Sequence, residues 1–390
     1  MPRPPHFHDN VLTMPGAVYS PFADRVADHP GPLFPLHVGD TWLEPCVGAR
    51  MEDRRGAENA GLHQYADTRG LPGLVDAVLE RARAQSGLPW ERESVLITAG
   101  ATAGLSCAIG SFLAPGDEVL ILAPFWPLIR GIVQSWGGTP VEVPFYDRVA
   151  DDGQAAAEAV RAYASERTVA LYVSTPSNPT GRVLGAGILE ALAELAEQED
   201  WWLISDEVYR DFIYQGEHVS LAPLAPARTL CVDSFSKAYG MAGYRVGSLV
   251  GPSEWIDQAR KLGTHSFYSA PTPGQWAALR ALQGGAAWQD EAREQYRAVS
   301  TAAAEKLGLP APGGSTFLFL DVGARLDERG LHGFLEDCFQ DGVLVAPGSS
   351  AGRDYGDWIR LCYTAMPPEE ALEGINRLAR HVRGAGAASD

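Results

Sequence analysis

The chain has 390 residues, 46% hydrophobic and 21% charged, an ordinary globular composition long enough for about two domains. Asp and Glu number 49 against 31 Lys and Arg, and a formal charge of −18 excludes the basic face that nucleic acid requires. Cysteines 46, 107, 231, 338 and 362 are odd in number, scattered and free of any C-x-x-C pair. They exclude a disulfide framework and a cysteine zinc site, and fit reduced thiols in the cytoplasm with no bound metal.

Residues 1–10 (MPRPPHFHDN) lack the apolar stretch of a signal peptide. No apolar run approaches the roughly 18 residues of a membrane helix, so a soluble protein without a membrane partner is expected. The first 45 residues, rich in Pro and aromatics, read as an irregular arm with one short helix at most. From Gly70 the pattern becomes regular. Residues 71–86 form an amphipathic helix with Pro72 near its start, where the missing N–H costs nothing. Apolar β-rich runs follow at 94–98, 118–122, 140–143, 168–173, 201–205 and 229–233, alternating with helical stretches at 102–113, 125–136, 154–166 and 186–198. This alternation predicts an α/β fold, a mostly parallel sheet sandwiched by helices, with ligands at the carboxyl ends of the strands. Beyond about Gly285 a polar helix (288–307) leads into 317–322, another helix, strands at 343–345 and 358–362, and a last helix at 368–382. That segment reads as a smaller α+β domain. The expected division is a large domain over 46–285 and a small one built from 1–45 and 286–390.

The unusual residues fall just after the strands. Ser234-Phe235-Ser236-Lys237 follows one of them, with Gly240, Gly243 and Arg245 behind. Desolvation or a nearby cation makes such a lysine nucleophilic, while hydroxyls and an arginine fork suit an anionic group. Taken alone, the run also fits a surface loop. It matches S-x-x-K as well, the serine-nucleophile motif of penicillin-binding proteins, but the S-D-N and K-T-G that motif needs downstream are missing.

Asp206, in D-E-V-Y, could pair with a protonated ring nitrogen or simply cap a helix. Asn178, in S-N-P-T-G, is a fixed donor or part of a plain turn. Gly100-Ala101-Thr102 opens a helix whose N–H groups suit phosphate, without matching a dinucleotide fingerprint or a P-loop. Trp126, after Pro124-Phe125, offers a stacking face or ordinary core packing.

Together, in order and at similar spacing, these landmarks resemble the class I/II aminotransferases of pyridoxal-phosphate fold type I. The resemblance runs from about Gly39 to Arg380 and includes Tyr65, the G-x-T turn, N-P-T-G, D-E-x-Y, S-x-S-K-x-x-G-x-x-G-x-R, and a late arginine after P-G. It implies pyridoxal 5′-phosphate as cofactor, held by Lys237 as a Schiff base. By the same resemblance Asp206 pairs with the ring nitrogen, Trp126 stacks on the ring, and Asn178 and Tyr209 bind its phenolic oxygen. Ala101, Thr102, Ser234, Ser236 and Arg245 would hold the phosphate, with Tyr65 reaching in from the other subunit of a homodimer whose active sites lie at the interface. Arg360 would clamp the substrate carboxylate, with Gly39 and Trp42 lining the same place.

Two positions depart from the pattern. Trp126 stands where tyrosine is common, and Thr175-Pro176-Ser177 precedes Asn178 where asparagine is common. No arginine matching the one that selects dicarboxylic substrates is found near Trp42, Thr264-His265-Ser266 or Tyr268. Transamination between an amino acid and a 2-keto acid is the function implied. Elimination, replacement or cyclisation on the same scaffold remains an alternative, as does a non-catalytic sensor of the same fold. Arg360 could instead pair with Asp357 or Glu370.

Overall fold

The computed structural model describes residues 6–14, 16, 19–53 and 60–383. The strands, in chain order, are β1 (Phe34–Pro35), β2 (Val95–Thr98), β3 (Glu118–Ala123), β4 (Thr139–Pro144), β5 (Thr168–Ser174) and β6 (Trp202–Asp206). Then come β7 (Thr229–Ser234), β8 (Gly247–Val250), β9 (Phe317–Asp321), β10 (Val343–Leu344), β11 (Ala346–Pro347) and β12 (Trp358–Cys362). Runs such as Val119–Leu122 and Leu171–Val173 are buried on both faces, as expected of strands covered on each side by helices.

The large sheet has the order β2-β8-β7-β6-β5-β3-β4. Its pairs from β7 through β6, β5 and β3 to β4 are parallel, and β8 runs antiparallel between β2 and β7. The sequence reading passed over β8 because Gly247-Ser248 dilutes its apolar run, and passed over the helices Ser253–Ser266 and Thr272–Gly284 after it. Register matters more than order here. Thr98 and Ser234 both pair with Gly247, and Ser174 pairs with Asp206. The chain ends that follow β2, β5, β6 and β7 are thereby delivered to one edge.

Other predicted elements shift by a few residues. The helix expected at 102–113 is Gly100–Gly110, and the one expected at 154–166 stops at Arg161. The helix Pro72–Ser86 ends on Gly87, whose φ of 68° is the left-handed region glycine tolerates. Among the described residues the arm holds one α-helix, the single turn Asp9–Leu12.

A second sheet, β11-β12-β9, is antiparallel, and β1 pairs in parallel with β10 at Phe34↔Val343. Phe22, Phe34 and Leu36 of the arm share a buried cluster with Val299, Leu318, Phe334, Ile359 and Ile375. On β12 the alternation of a strand sends Ile359 and Leu361 into that cluster and turns Arg360 the other way, toward Phe317 and Asn178. Among the described residues no helix is long and apolar enough to cross a membrane, and no cluster of His, Cys, Asp and Glu suits a metal ion.

Candidate active site

The strand ends surround a cavity of about 270 Å³ lined by residues of both sheets and of the arm. At one end lies a cradle for an anion. Gly100, at φ 80°, starts the helix Gly100–Gly110. A Cβ there would meet Arg245 Nη2 at 2.4 Å, and one at Gly247 would meet the Ala101 nitrogen at 2.6 Å. Both glycines let backbone and guanidinium close on the same space. Ser234 caps the short helix Phe235–Ala238 by accepting from the Ser236 N–H at 3.1 Å. Arg245, itself at φ 54°, donates to the Ala242 carbonyl at 2.9 Å and pairs with no carboxylate among the described residues. N–H groups of a helix start, three hydroxyls (Thr102, Ser234, Ser236) and an uncommitted guanidinium suit a phosphate.

Lys237 stands beside this cradle, partly buried, and its Nζ donates to the Gly39 carbonyl. Burial pushes its pKa down. Arg360 and Arg245 add to that effect, against Cys362 and Asp40. Gly39 admits this approach because Phe317 packs where a Cβ would sit, 2.6 Å from its Cζ.

In D-E-V-Y, strand alternation decides which acid serves the cavity. Asp206 faces it. Glu207 is turned away and buried against Arg210, His218 and Ser220, which hold it well below the usual carboxylate range despite burial. Asp206 is buried without a cationic partner among the described residues, and burial raises its carboxyl from 3.8 to about 6. The Tyr172 hydroxyl and the Val208 N–H, at 3.3 Å, bond to it and oppose that rise. Tyr209, 2% exposed, and Trp126 also line the space.

Arg360 is 4% exposed. Its Nη1 donates to Asn178 Oδ1 at 3.1 Å and its Nη2 to the His37 carbonyl at 2.9 Å. The Phe317 and Tyr19 rings flank it at 4.5 and 5.3 Å, and Nε has no hydrogen-bond partner among the described residues. Neither Asp357 nor Glu370 pairs with it, nor does any other carboxylate among the described residues. Burial lowers its pKa, and its charge helps burial hold the His37 ring down at about 4. A buried cation without a counterion is costly, and a carboxylate arriving through the cavity would relieve that cost.

Every residue given a cofactor or substrate role from sequence lines this cavity except Trp42 and Tyr65. Trp42 packs edge-on against Tyr296, ring centroids 5.3 Å apart, within the cluster of the second sheet. Tyr65 is 85% exposed, its ring 4.9 Å from that of Tyr268. The sequence reading missed Tyr19, Val38, Leu105 and Phe317 on the wall, and Tyr172 behind Asp206. Val38 and Leu105 neighbour flagged turns and were within reach; Tyr19 and Phe317 come from distant segments with no local signature.

Residues 34–378 match the family of aminotransferases of class I and II. The aspartate/prephenate aminotransferase of Thermus thermophilus is 36% identical over 340 residues, 84% of this chain and 86% of that protein. The arginine–pyruvate transaminase of Pseudomonas aeruginosa is 34% identical over 363 residues, 90% of each chain. The solved structure of aspartate aminotransferase from Thermus thermophilus with maleate superposes with a TM-score of 0.88 at 31% identity, covering 97% of this chain and 100% of that one. The chain therefore belongs to the class I and II aminotransferases, enzymes of fold type I that work with pyridoxal phosphate.

Proposed function

We propose that this cavity transfers the amino group of amino acids with apolar side chains to 2-keto acids, with Lys237 as the residue that binds the cofactor and moves the proton. The lining fits pyridoxal phosphate group by group. Ala101, Thr102, Ser234, Ser236 and Arg245 match its phosphate, Trp126 its ring face, and Asp206 its ring nitrogen. Asn178 and Tyr209 match its phenolic oxygen, although Asn178 Oδ1 is the atom that accepts from Arg360.

When bound, pyridoxal phosphate supplies the conjugated ring that takes up the electron pair of the Cα–H bond. Arg360 fixes the substrate carboxylate and so sets the angle of that bond. Lys237, whose pKa burial lowers, would take the proton from the substrate Cα through its Nζ. Asp206 must be ionised to hold a protonated ring nitrogen. The relatives are aminotransferases, and this does not favour the elimination, replacement and cyclisation alternatives.

The observation that carries the substrate reading is Arg360, buried in the same cavity as the lysine with no carboxylate partner among the described residues. Tyr19, Val38, Leu105 and Phe317 make the adjoining wall apolar. The cations Lys237, Arg245 and Arg360 already have tasks, so among its described residues the chain brings no further cation for a second carboxylate. The test is a panel of amino acids with 2-oxoglutarate or pyruvate, products identified by mass spectrometry. Turnover of leucine, phenylalanine or methionine above aspartate is expected; aspartate as the best donor would overturn the substrate class.

The exposure of Tyr65 (85%), Val47 (82%), Tyr268 (45%) and Val38 (43%) supports a homodimer in which Tyr65 reaches the partner's phosphate cradle. The shared core of arm and C-terminal segment supports the division into 46–285 and a small domain from 1–45 and 286–390. Five buried, free thiols support a cytoplasmic setting.

A further inference from the structure

Asp206 is reached from behind by a residue that no motif marks. Tyr172 lies on β5 opposite Ile204, two residues before the Ser174↔Asp206 pair. Its ring is 1% exposed, and its hydroxyl donates to Asp206 Oδ2. The Val208 N–H reaches the other oxygen, Oδ1, at 3.3 Å. Each carboxylate oxygen thus holds one donor, which locks the plane of the group. Besides Tyr172, the titratable groups that shift Asp206 are Asp233 and Glu207, both acids that raise it. A buried acid near two other acids tends to keep its proton, and a protonated acid cannot pair with a cationic ring nitrogen. Packing alone does not require the hydroxyl, because phenylalanine would fill the same space among Ile121, Ile204 and Val232.

We propose that Tyr172 is a positioning residue for Asp206: its hydroxyl donates to the carboxylate from within the sheet, favours the ionised acid and fixes its orientation toward the cavity. This rests on the reading of Asp206 as the partner of the cofactor's ring nitrogen. The two hydrogen bonds carry this role, and both oppose the rise that burial imposes on the carboxyl.

The experiment titrates apo-protein with pyridoxal phosphate across the acid-to-neutral range, following the visible band and quenching of tryptophan fluorescence. In the wild type, affinity should fall below about pH 6, where Asp206 takes up its proton. Tyr172→Phe should keep its affinity at alkaline pH. Its midpoint should move up by about one to two pH units, the size of one charge-assisted hydrogen bond at about 1.36 kcal/mol per unit.

Tyr146→Phe is the control. It loses an equally buried hydroxyl, bonded to the Ser174 carbonyl at 2.6 Å and not to Asp206. It should melt earlier without moving the midpoint. An unmoved midpoint in Tyr172→Phe overturns the proposal, and so does an equal shift in Tyr146→Phe. Should Tyr172→Phe not fold, a fluorinated tyrosine at position 172 keeps the ring and strengthens the donor. It should move the midpoint down, and no movement overturns the proposal. A wild type that binds no pyridoxal phosphate sinks the proposed function and Tyr172's role with it; binding with an unmoved variant sinks only the latter.

Discussion

Replacing Arg360 by lysine keeps the charge and removes the fork. The guanidinium is held in plane by Asn178 Oδ1 at 3.1 Å and the His37 carbonyl at 2.9 Å, between the rings of Phe317 and Tyr19. A lysine ammonium would offer a single point of attachment and neither stack nor fork. Losing one charge-assisted hydrogen bond of about 1.5–3 kcal/mol corresponds to about a ten- to hundredfold loss. Misorientation of Cα adds up to about another hundredfold in the chemical step. Arg360→Lys should therefore lower kcat/KM for amino acids by about one to four orders of magnitude, with kcat falling and KM rising. The assay is steady-state transamination plus single-turnover decay of the visible band, with simple amines as controls. Amines lack the carboxylate, so they should be poor substrates of the wild type and little affected by the change. A variant that melts earlier yet keeps its kinetics toward every amino acid would refute the role and leave Arg360 a structural residue.

Gly100→Ala places a Cβ at 2.4 Å from Arg245 Nη2 on a backbone at φ 80°. Equilibrium titration should show pyridoxal phosphate affinity down by about tenfold or more, since strain and displacement of Arg245 add. Asp206 gives a pH dependence of fixed sign. Its carboxyl titrates at about 6 in the fold against 3.8 ordinarily, so between those values the folded apo-protein holds the extra proton. Stability from this group is present below 3.8 and falls by about 3 kcal/mol as pH rises to about 6. Asp206→Asn should flatten that part of an apo melting curve and weaken cofactor binding. Dissociated and reassociated mixtures of Tyr65→Phe and Lys237→Ala should regain activity that neither homodimer has, because one heterodimer site escapes both lesions. A fully active monomer in light scattering would contradict the shared site.

Much of the site was legible because its chemistry sits in short runs at strand ends. S-x-S-K, N-P-T-G and D-E-x-Y each carry turn or capping residues whose local geometry is set within four or five positions, and each lands in the cavity. Periodicity alone located most of the large sheet, but not β8, where Gly247 replaces an apolar residue so that the Ala101 nitrogen can approach. What stayed hidden depends on tertiary register. Tyr172 looks like one more apolar strand residue until the pairing of β5 with β6 sets it beside Asp206. Tyr19 and Phe317 meet Arg360 only after arm, large sheet and small sheet have come together. Trp42 shows the reverse: a bulky aromatic close to Gly39 in sequence packs on Tyr296, outside the cavity.

The chain has three lysines, at 237, 261 and 306, which makes the most direct test unusually clean. Lys261 lies on the helix Ser253–Ser266 and pairs with Asp257 at 3.3 Å, and Lys306 lies in the last turn of Ala286–Leu307. Holo-protein should be reduced with borohydride, digested, and its peptides mapped by mass spectrometry. Pyridoxyl label on Lys237 alone, with loss of the visible band and of activity, is the expected result. Label on Lys261 or Lys306 in place of Lys237, or full activity in Lys237→Ala, would contradict the assignment of Lys237 as the cofactor-binding residue.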